Sequence, residues 1–496
     1  MKFSEMVLKT ENEITDVDVK FDFEINKLCY NSSLVEQGDV FFAIKGYKTD
    51  GNKFIGDAFT KGAGAVFTDS AENAEETGIY KVKDCRKAMA AMSNVYFGSP
   101  SQKMNVIGVT GTNGKTTVTN LINSVLEFWG KKTGLIGTNG NYINRRYLKT
   151  SFTTPESVEL NALLKEMYEA GTEYVTIEVS SHSLALSRVW GIDFDAAVFT
   201  NLTEDHLDFH ETMDDYFEAK KIMFDNIPRI NAKGNNTAVV YNSDDEFGKR
   251  IVDGAEAERV SFGFSKAMYS AENLKMGFEG MKFDMLVPLN GENTNKVKIE
   301  TNLTGRFNVY NILAASAALK YLKVPFDIIK EGIKSFNAVE GRFNLIKLKN
   351  GACAIIDYSH TPDALLKALT AIKEILDLTG SKGKIITVFG CGGNRDKLKR
   401  PVMGKIAVEH SNHAIITSDN PRDENPLDII EEIKTGITSD NYSVVENREK
   451  AIESAVNMSA KNDIILIAGK GHETYQEIKG VKNHFSDREI AERFVK

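Results

Sequence analysis

The sequence predicts an α/β protein in three domains, the second and third built on parallel sheets. Three observations lead there. At 496 residues the chain is too long for one ordinary core. Beyond a short linker, apolar strand runs alternate with helical stretches: "NVIGVTG" enters a helix, "YVTIEVS" follows one and "DAAVFTNL" follows a turn, which is the signature of strands joined by crossover helices. Near "SFNAVEGRFN" (335–344) that pattern restarts.

In chain order, the first block (1–102) holds short strand-like runs, "DVFFAIKG" and "GAVFTD", between turns, a mixed α/β unit closed by the linker "FGSPSQKMN". The second block (103–337) carries the alternating pattern. The third (338–496) opens with the strand "ACAIIDYS". Next comes "PDALLKALTAIKEILDL", where Leu365, Leu366, Leu369, Ile372 and Leu376 fall at helical spacing and should lie on a core. "KIITVFGCGGN", "HAIITSDNP" and "DIILIAGKG" are further strands ending in Gly- or Asp-rich loops. Ligands of open α/β sheets collect at such carboxyl ends, so the third block reads as a second ligand-handling, Rossmann-like domain. No repeat or low-complexity segment interrupts this order.

Composition narrows the function. Hydrophobic residues at 42% and charged residues at 26% are the balance of a soluble globular protein. No stretch approaches the roughly 20 apolar residues that span a bilayer. The opening "MKFSEMVLKTENEITDVDVKFDF" lacks the apolar core of a signal peptide, so a cytoplasmic protein with no membrane partner is expected. Cys29, Cys85, Cys353 and Cys391 show no CxxC pairing and read as small buried hydrophobes in a reducing compartment. The eight histidines form no HExxH or Cys/His pattern, so no structural zinc is expected. A net charge of −8 weighs against nucleic acid as the main partner.

The strongest local signal is "GVTGTNGKTTVTNLI" (108–122), a phosphate-gripping loop feeding a helix. Glycines such as Gly111 and Gly114 let backbone N–H groups approach phosphate, the helix N-terminus favours the anion, Lys115 reaches the β/γ oxygens and Thr116 can ligate Mg²⁺. Thr112, Asn113 and Thr117 complete the loop. The spacing G-T-N-G-K-T is two residues shorter between glycines than the common form. A Mg²⁺-nucleotide site needs further oxygen ligands. Glu178 closes "YVTIE", and "NLTEDHLDFH" offers Asp205, His206 and Asp208 at the next strand end. Read alone, Glu178 could be a solvated strand end, His206 a hydrogen-bonded core histidine and Lys220 a solvated helix residue.

"GVTGTNGKTT", "TTPES", "EVSSHSL", "NLTEDHLDFH", "YFEAKKIMF", "GRFNVYN", "EGRFN", "DYSHTPDAL", "GCGGNRDKLKRP", "DNPR" and "GKGHETYQ" occur in this order across essentially the whole chain. Together they resemble the Mur ligases of peptidoglycan synthesis, in particular their tripeptide-synthetase branch. Such enzymes use ATP to join an amino acid to the carboxylate of a UDP-MurNAc-peptide. The resemblance implies an N-terminal UDP-sugar domain, a central ATPase domain and a C-terminal Rossmann-like domain, with ATP and Mg²⁺ required, small-molecule partners only and a monomeric chain. It places Thr116 and Glu178 on one Mg²⁺, and His206 with Lys220, as a carbamate, on a second. It places Asn308 and Asn311 on the adenine side, with Arg342 and Asp357 reaching ATP from the third domain. His360 would orient that loop. Ser32, Tyr47, Lys48 and Thr49 match the uridine-side positions, although "NSS" stands where many relatives have "DSR". Thr153, Thr154, Ser180 and Arg188 match the peptide wall.

The added amino acid is written in "SDNPRDENP". In this family "DNPR" marks enzymes that add meso-diaminopimelate, though some lysine-adding members keep the arginine. Arg422 and Arg395 can grip the distal carboxylate that diaminopimelate has and lysine lacks, by planar bidentate hydrogen bonds. Lysine would set an ammonium against those guanidiniums. Asp419, Asn420 and Glu473, with Pro421 and Gly469 in the same loops, would take the distal ammonium. A lysine-adding ligase, a folylpolyglutamate-synthase-like ligase and a non-catalytic scaffold are the alternatives.

Overall fold

Three large sheets follow one another along the chain, with a two-stranded hairpin (Tyr475–Ile478 and Val481–His484) after them, in a computed structural model that describes every residue except 11–13, 15–16, 47–48, 71–76, 151, 207–208, 289–293 and 496. In the first, Leu28–Cys29, Val40–Phe42, Ala65–Thr68 and Ile79–Lys81 pair in that order, all parallel. Val40 and Phe42 face Cys85, Ala88, Met89 and Met92 of helix Cys85–Tyr96, while Phe41 and Val66 face Ile55 and Ala58 of helix Ile55–Thr60. A sheet covered on both sides has no reason to alternate apolar and polar residues, and its central strands do not.

Among the described residues the central sheet has eleven strands. Its parallel core runs Glu258–Gly263, Ala238–Asn242, Ala196–Phe199, Asn105–Thr110, Tyr174–Glu178 and Thr133–Gly137. Helix Lys115–Phe128 packs Val118, Leu121, Ile122 and Val125, one stripe at helical spacing, into the same core as Val309, Ile312 and Leu313 of helix Arg306–Tyr321. Further strands extend both edges: on one side Tyr269–Gly277, which pairs in parallel with Glu258–Gly263, then Gly280–Pro288 and Thr294–Thr301 in antiparallel; on the other the antiparallel Gly140–Ile143 and Arg146–Leu148. The alternation reading did not reach these. In Gly280–Pro288 every second residue is buried, the pattern of a sheet with one wet face.

The third sheet runs Asn344–Lys347, Cys353–Asp357, Ile464–Ala468, Ile385–Phe389, His413–Ile416 and Tyr442–Val444, antiparallel only at its first pair. The leucine-rich stretch forms helix Pro362–Thr379, started by Thr361, whose Oγ1 accepts from Ala364 N (3.2 Å), and stopped at Gly380 in the left-handed region (φ 66°). Leu365, Leu369, Ile372 and Leu376 are buried as expected. Leu366 is a correction: it is half-buried and looks into the cleft between the second and third sheets. The helix surface is divided there between core and ligand space.

Candidate active site

The carboxyl ends of central and third-sheet strands open on one cleft of about 1030 Å³. The phosphate-gripping loop forms its floor. Gly111 has φ 144°, and a Cβ there would lie 1.9 Å from Thr200 Oγ1, so only glycine fits. Thr112 Oγ1 lies 3.1 Å from the Tyr216 hydroxyl, and Asn113 N donates to Asn201 Oδ1 at 3.0 Å. Lys115 Nζ folds back on its own loop, donating to the carbonyls of Gly111 (2.9 Å) and Thr112 (2.8 Å). Burial first, and then neighbouring Arg342, lower its pKa against the attraction of Glu178 and Asp205. Thr116 and Thr117 begin the helix and are almost fully buried.

Glu178, far from being a solvated strand end, is 1% exposed. Its Oε2 accepts from Thr116 Oγ1 (2.9 Å) and Thr138 Oγ1 (3.1 Å), and its Oε1 from Thr138 N (2.9 Å). Lys220 is likewise 1% exposed, which corrects its reading as a solvated helix residue. Its Nζ donates to Gly111 O (2.9 Å) and lies 4.5 Å from the Tyr216 ring centre. Burial, reinforced by the charge of Lys115, holds its pKa well below the usual lysine range. His206 takes a left-handed backbone (φ 57°) beside Asp205, and burial brings its pKa down to about 3, leaving a neutral imidazole. Asp208 lies outside the described residues.

Asn308 and Asn311 are buried and bonded to each other, Asn311 Nδ2 donating to Asn308 Oδ1 at 2.9 Å. Asn311 Oδ1 stands 2.5 Å from where a Cβ on Gly114 would be, so the pair braces the loop as well as lining the cleft. From the third block, Arg342 donates to Thr116 Oγ1 (3.2 Å), and its buried Nε has no protein partner. Asp357 accepts from Phe343 N (2.8 Å) and from Ser359 Oγ, and burial raises its pKa. His360 Nδ1 sits 2.9 Å from Tyr358 O. On the opposite wall, Thr153 Oγ1 lies 3.1 Å from Thr138 Oγ1, Thr154 Oγ1 donates to Glu178 O (2.6 Å), and Ser180 caps helix Ser181–Ala185. Arg188 donates to Thr154 O (3.0 Å) and pairs with Glu156 at 2.7 Å.

Arg395 and Arg422 both line the cleft. Arg422 has φ 52°, donates to Gly393 O (2.7 Å), and its backbone is clamped by Glu477 O and Lys479 N. Asp419, Asn420, Pro421 and Gly469 are buried just behind this wall, and Glu473 lines it. Ser32 and Thr49 do not line this cleft: Ser32 begins a 3-10 turn and its carbonyl accepts from Lys61 Nζ (2.8 Å), and Thr49 is exposed. Tyr47 and Lys48 lie outside the described residues.

Three family descriptions match this chain: the Mur ligase family catalytic domain over residues 24–97, the Mur ligase middle domain over 109–319, and the Mur ligase glutamate ligase domain over 341–471. The chain belongs to the Mur ligase family. UDP-N-acetylmuramoyl-L-alanyl-D-glutamate--2,6-diaminopimelate ligases of Clostridium tetani and Clostridium perfringens are 42% and 44% identical to this Mur ligase, over 100% and 98% of it and 99% and 98% of their own lengths. A solved structure with the same enzyme name superposes with a TM-score of 0.70 at 28% identity, covering 100% of this chain and 98% of that one. In this Mur ligase the sequence reading missed several cleft residues. Asp363 accepts from Asn113 Nδ2 (2.8 Å) and Thr203 Oγ1 (3.0 Å), tying the third block to the phosphate loop. It reads in sequence only as a helix-start carboxylate. Tyr216 stands one turn before Lys220 in "YFEAKK", a spacing that could have paired them. Among the described residues no helix is long and apolar enough to cross a membrane.

Proposed function

We propose that the chain is an ATP-dependent ligase joining meso-2,6-diaminopimelate to the D-Glu γ-carboxylate of UDP-MurNAc-L-Ala-D-Glu, with release of ADP and phosphate, in peptidoglycan precursor synthesis. The blocks 1–102, 103–337 and 338–496 serve the nucleotide sugar, ATP and the amino acid. The observation that carries this reading is the convergence of Lys115, Thr116 and Glu178 with Arg395 and Arg422 on one cleft, a triphosphate grip facing a carboxylate grip.

Lys115 leaves its loop carbonyls to meet the β/γ-phosphates, with the loop N–H groups holding the other oxygens. The γ-phosphoryl group passes to the carboxylate oxygen, giving an acyl phosphate and ADP. The deprotonated amine of the amino acid then attacks the acyl carbon; the C–N bond forms, the C–O bond to phosphate breaks, and phosphate leaves. Arg188 and Thr154 hold the peptide end, and Arg342 with Asp357 closes on the nucleotide.

The residues fit Mg²⁺ by donor chemistry. Thr116 and Glu178 supply a hydroxyl and a carboxylate whose oxygens already meet at 2.9 Å. Among the described residues no group of three or more His, Cys, Asp or Glu side chains could hold a metal. Mg²⁺ keeps water and phosphate oxygens as most of its ligands, so a hydroxyl and a carboxylate are donors of the kind it takes from protein. When bound, it disperses phosphate charge. Neutral His206 and a carbamate formed on the Lys220 amine by CO₂ would supply the second set. The amine must be neutral to add CO₂, and the buried environment of Lys220 favours that form.

An amino-acid panel with UDP-MurNAc-L-Ala-D-Glu and ATP, read by ADP release and product mass, tests the assignment. Preference for diaminopimelate is expected; preference for lysine, or turnover only with a folate substrate, would overturn it.

A further inference from the structure

Strand Ile464–Ala468 ends in a Gly-Lys-Gly turn that sends a lysine inward rather than to solvent. Gly469 and Gly471 both have positive φ (116° and 54°), and a Cβ on either would lie 2.7 Å from its nearest neighbour, Asp419 Oδ2 or Tyr358 Cβ. Between them Lys470 is 0% exposed and does not line the cleft. Its Nζ donates to Asn420 Oδ1 (3.0 Å) and Glu473 Oε2 (3.0 Å) and lies 3.6 Å from Asp419 Oδ1. These are the three side chains assigned above to the distal ammonium of the amino acid, and one buried ammonium touches all of them from behind.

We infer that Lys470 is a positioning residue for the amino-acid subsite, setting both its geometry and its charge; the inference rests on the proposed diaminopimelate reading for the identity of the ligand. The geometry follows from the amide of Asn420. Its Oδ1 is occupied by Lys470 Nζ and by Glu477 N (2.9 Å), so its Nδ2 must turn to Glu473 Oε2, which it meets at 2.8 Å. Glu473 Oε2 therefore accepts from both Asn420 and Lys470, which leaves Oε1 for the cleft. The charge follows from counting. Asp419 and Glu473 bring two carboxylates and Lys470 one ammonium, so the cluster keeps one negative charge, the complement of a single substrate ammonium. Without Lys470 two carboxylates would repel across the pocket, and Asn420 would lose the partner that orients it.

Steady-state kinetics of K470M, E473Q and the double variant test this, with thermal melts on each. K470M is expected to raise KM for diaminopimelate about 10- to 100-fold, the range for losing hydrogen bonds to a charged group, while KM for ATP and for UDP-MurNAc-L-Ala-D-Glu stay within about twofold. Because Lys470 acts through Glu473, the double variant should be no worse than the worse single one. The inference is overturned if folded K470M keeps its diaminopimelate KM within about twofold, if all three KM values rise together with a lowered melting temperature, or if the two effects multiply. Should K470M not fold, K470Q, which keeps a donor without the charge, is read against the same limits. If the wild type instead prefers another amino acid, the proposed function fails. The positioning role is then judged on KM for that amino acid by the same criteria.

Discussion

Lys220 carries an amine into a site where only 1% of it is exposed, and it donates there to Gly111 O of the phosphate loop. A protonated amine in that place would repel Mg²⁺ and Lys115 alike; a carbamate reverses the sign. Removing CO₂ from buffer should therefore lower turnover of the wild type, and bicarbonate should restore it. K220M, isosteric enough to keep the buried packing, should lose at least about 100-fold in kcat, as removal of a charge-stabilising group does, and should ignore bicarbonate. A K220M enzyme with near-normal kcat would remove the residue from the chemistry. The loop glycines, Lys115 and Thr116 were legible in sequence because their spacing encodes backbone conformation directly. The burial of Lys220 was not, since "YFEAKKIMF" offers two adjacent lysines and only the tertiary packing of Tyr216 and the loop above it decides which one turns inward.

The wall bearing Arg395 and Arg422 is carried by two loops after neighbouring strands, and buried Arg400 helps to join them. Arg400, 0% exposed, donates to both oxygens of Glu424 (2.8 and 2.9 Å), to Glu432 (2.7 Å) and to Gly392 O (3.2 Å). Its hydrogen bonds hold the Glu424 carboxyl down at about 2, against 4.5 for the free group. A depressed folded pKa means that this contribution to stability is present above about pH 4.5 and is lost as pH falls toward 2. Urea midpoints measured across that window should fall steeply for the wild type and less steeply for E424Q, which has no carboxyl there to titrate; equal slopes would remove this contribution. Helix Pro362–Thr379 offers a plainer test. Leu369 is 0% exposed, and L369A should cost about 2–5 kcal/mol by urea unfolding. Its leucine stripe was legible from spacing alone, whereas Leu366, on the same stripe, faces a cleft that exists only once the second and third sheets meet. The antiparallel edge strands escaped for a related reason: pairing direction is set by the neighbour a strand finds.

At the scale of the whole molecule, the third block touches the phosphate loop through Arg342 to Thr116 (3.2 Å) and through Asp363 to Asn113 (2.8 Å). Thr116 and Asn113 are proposed above as nucleotide contacts, so a bound nucleotide would act on the same side chains that Arg342 and Asp363 hold. A two-site coupling of this kind is reciprocal: if ATP strengthens amino-acid binding by some factor, the amino acid strengthens ATP binding by the same factor. D363A removes the acceptor shared by Asn113, Thr203 and Lys367 without touching Arg395, Arg422 or Glu473. Calorimetric affinity for diaminopimelate, taken with and without a non-hydrolysable ATP analogue, should differ about 5-fold or more in the wild type, in the range usual for coupled sites. In D363A the difference should shrink toward one, while the affinity measured without nucleotide stays close to that of the wild type. If D363A instead weakened amino-acid binding equally in both conditions, Asp363 would be supporting the pocket itself, and communication between the two blocks would run through other contacts, such as Arg342 to Thr116.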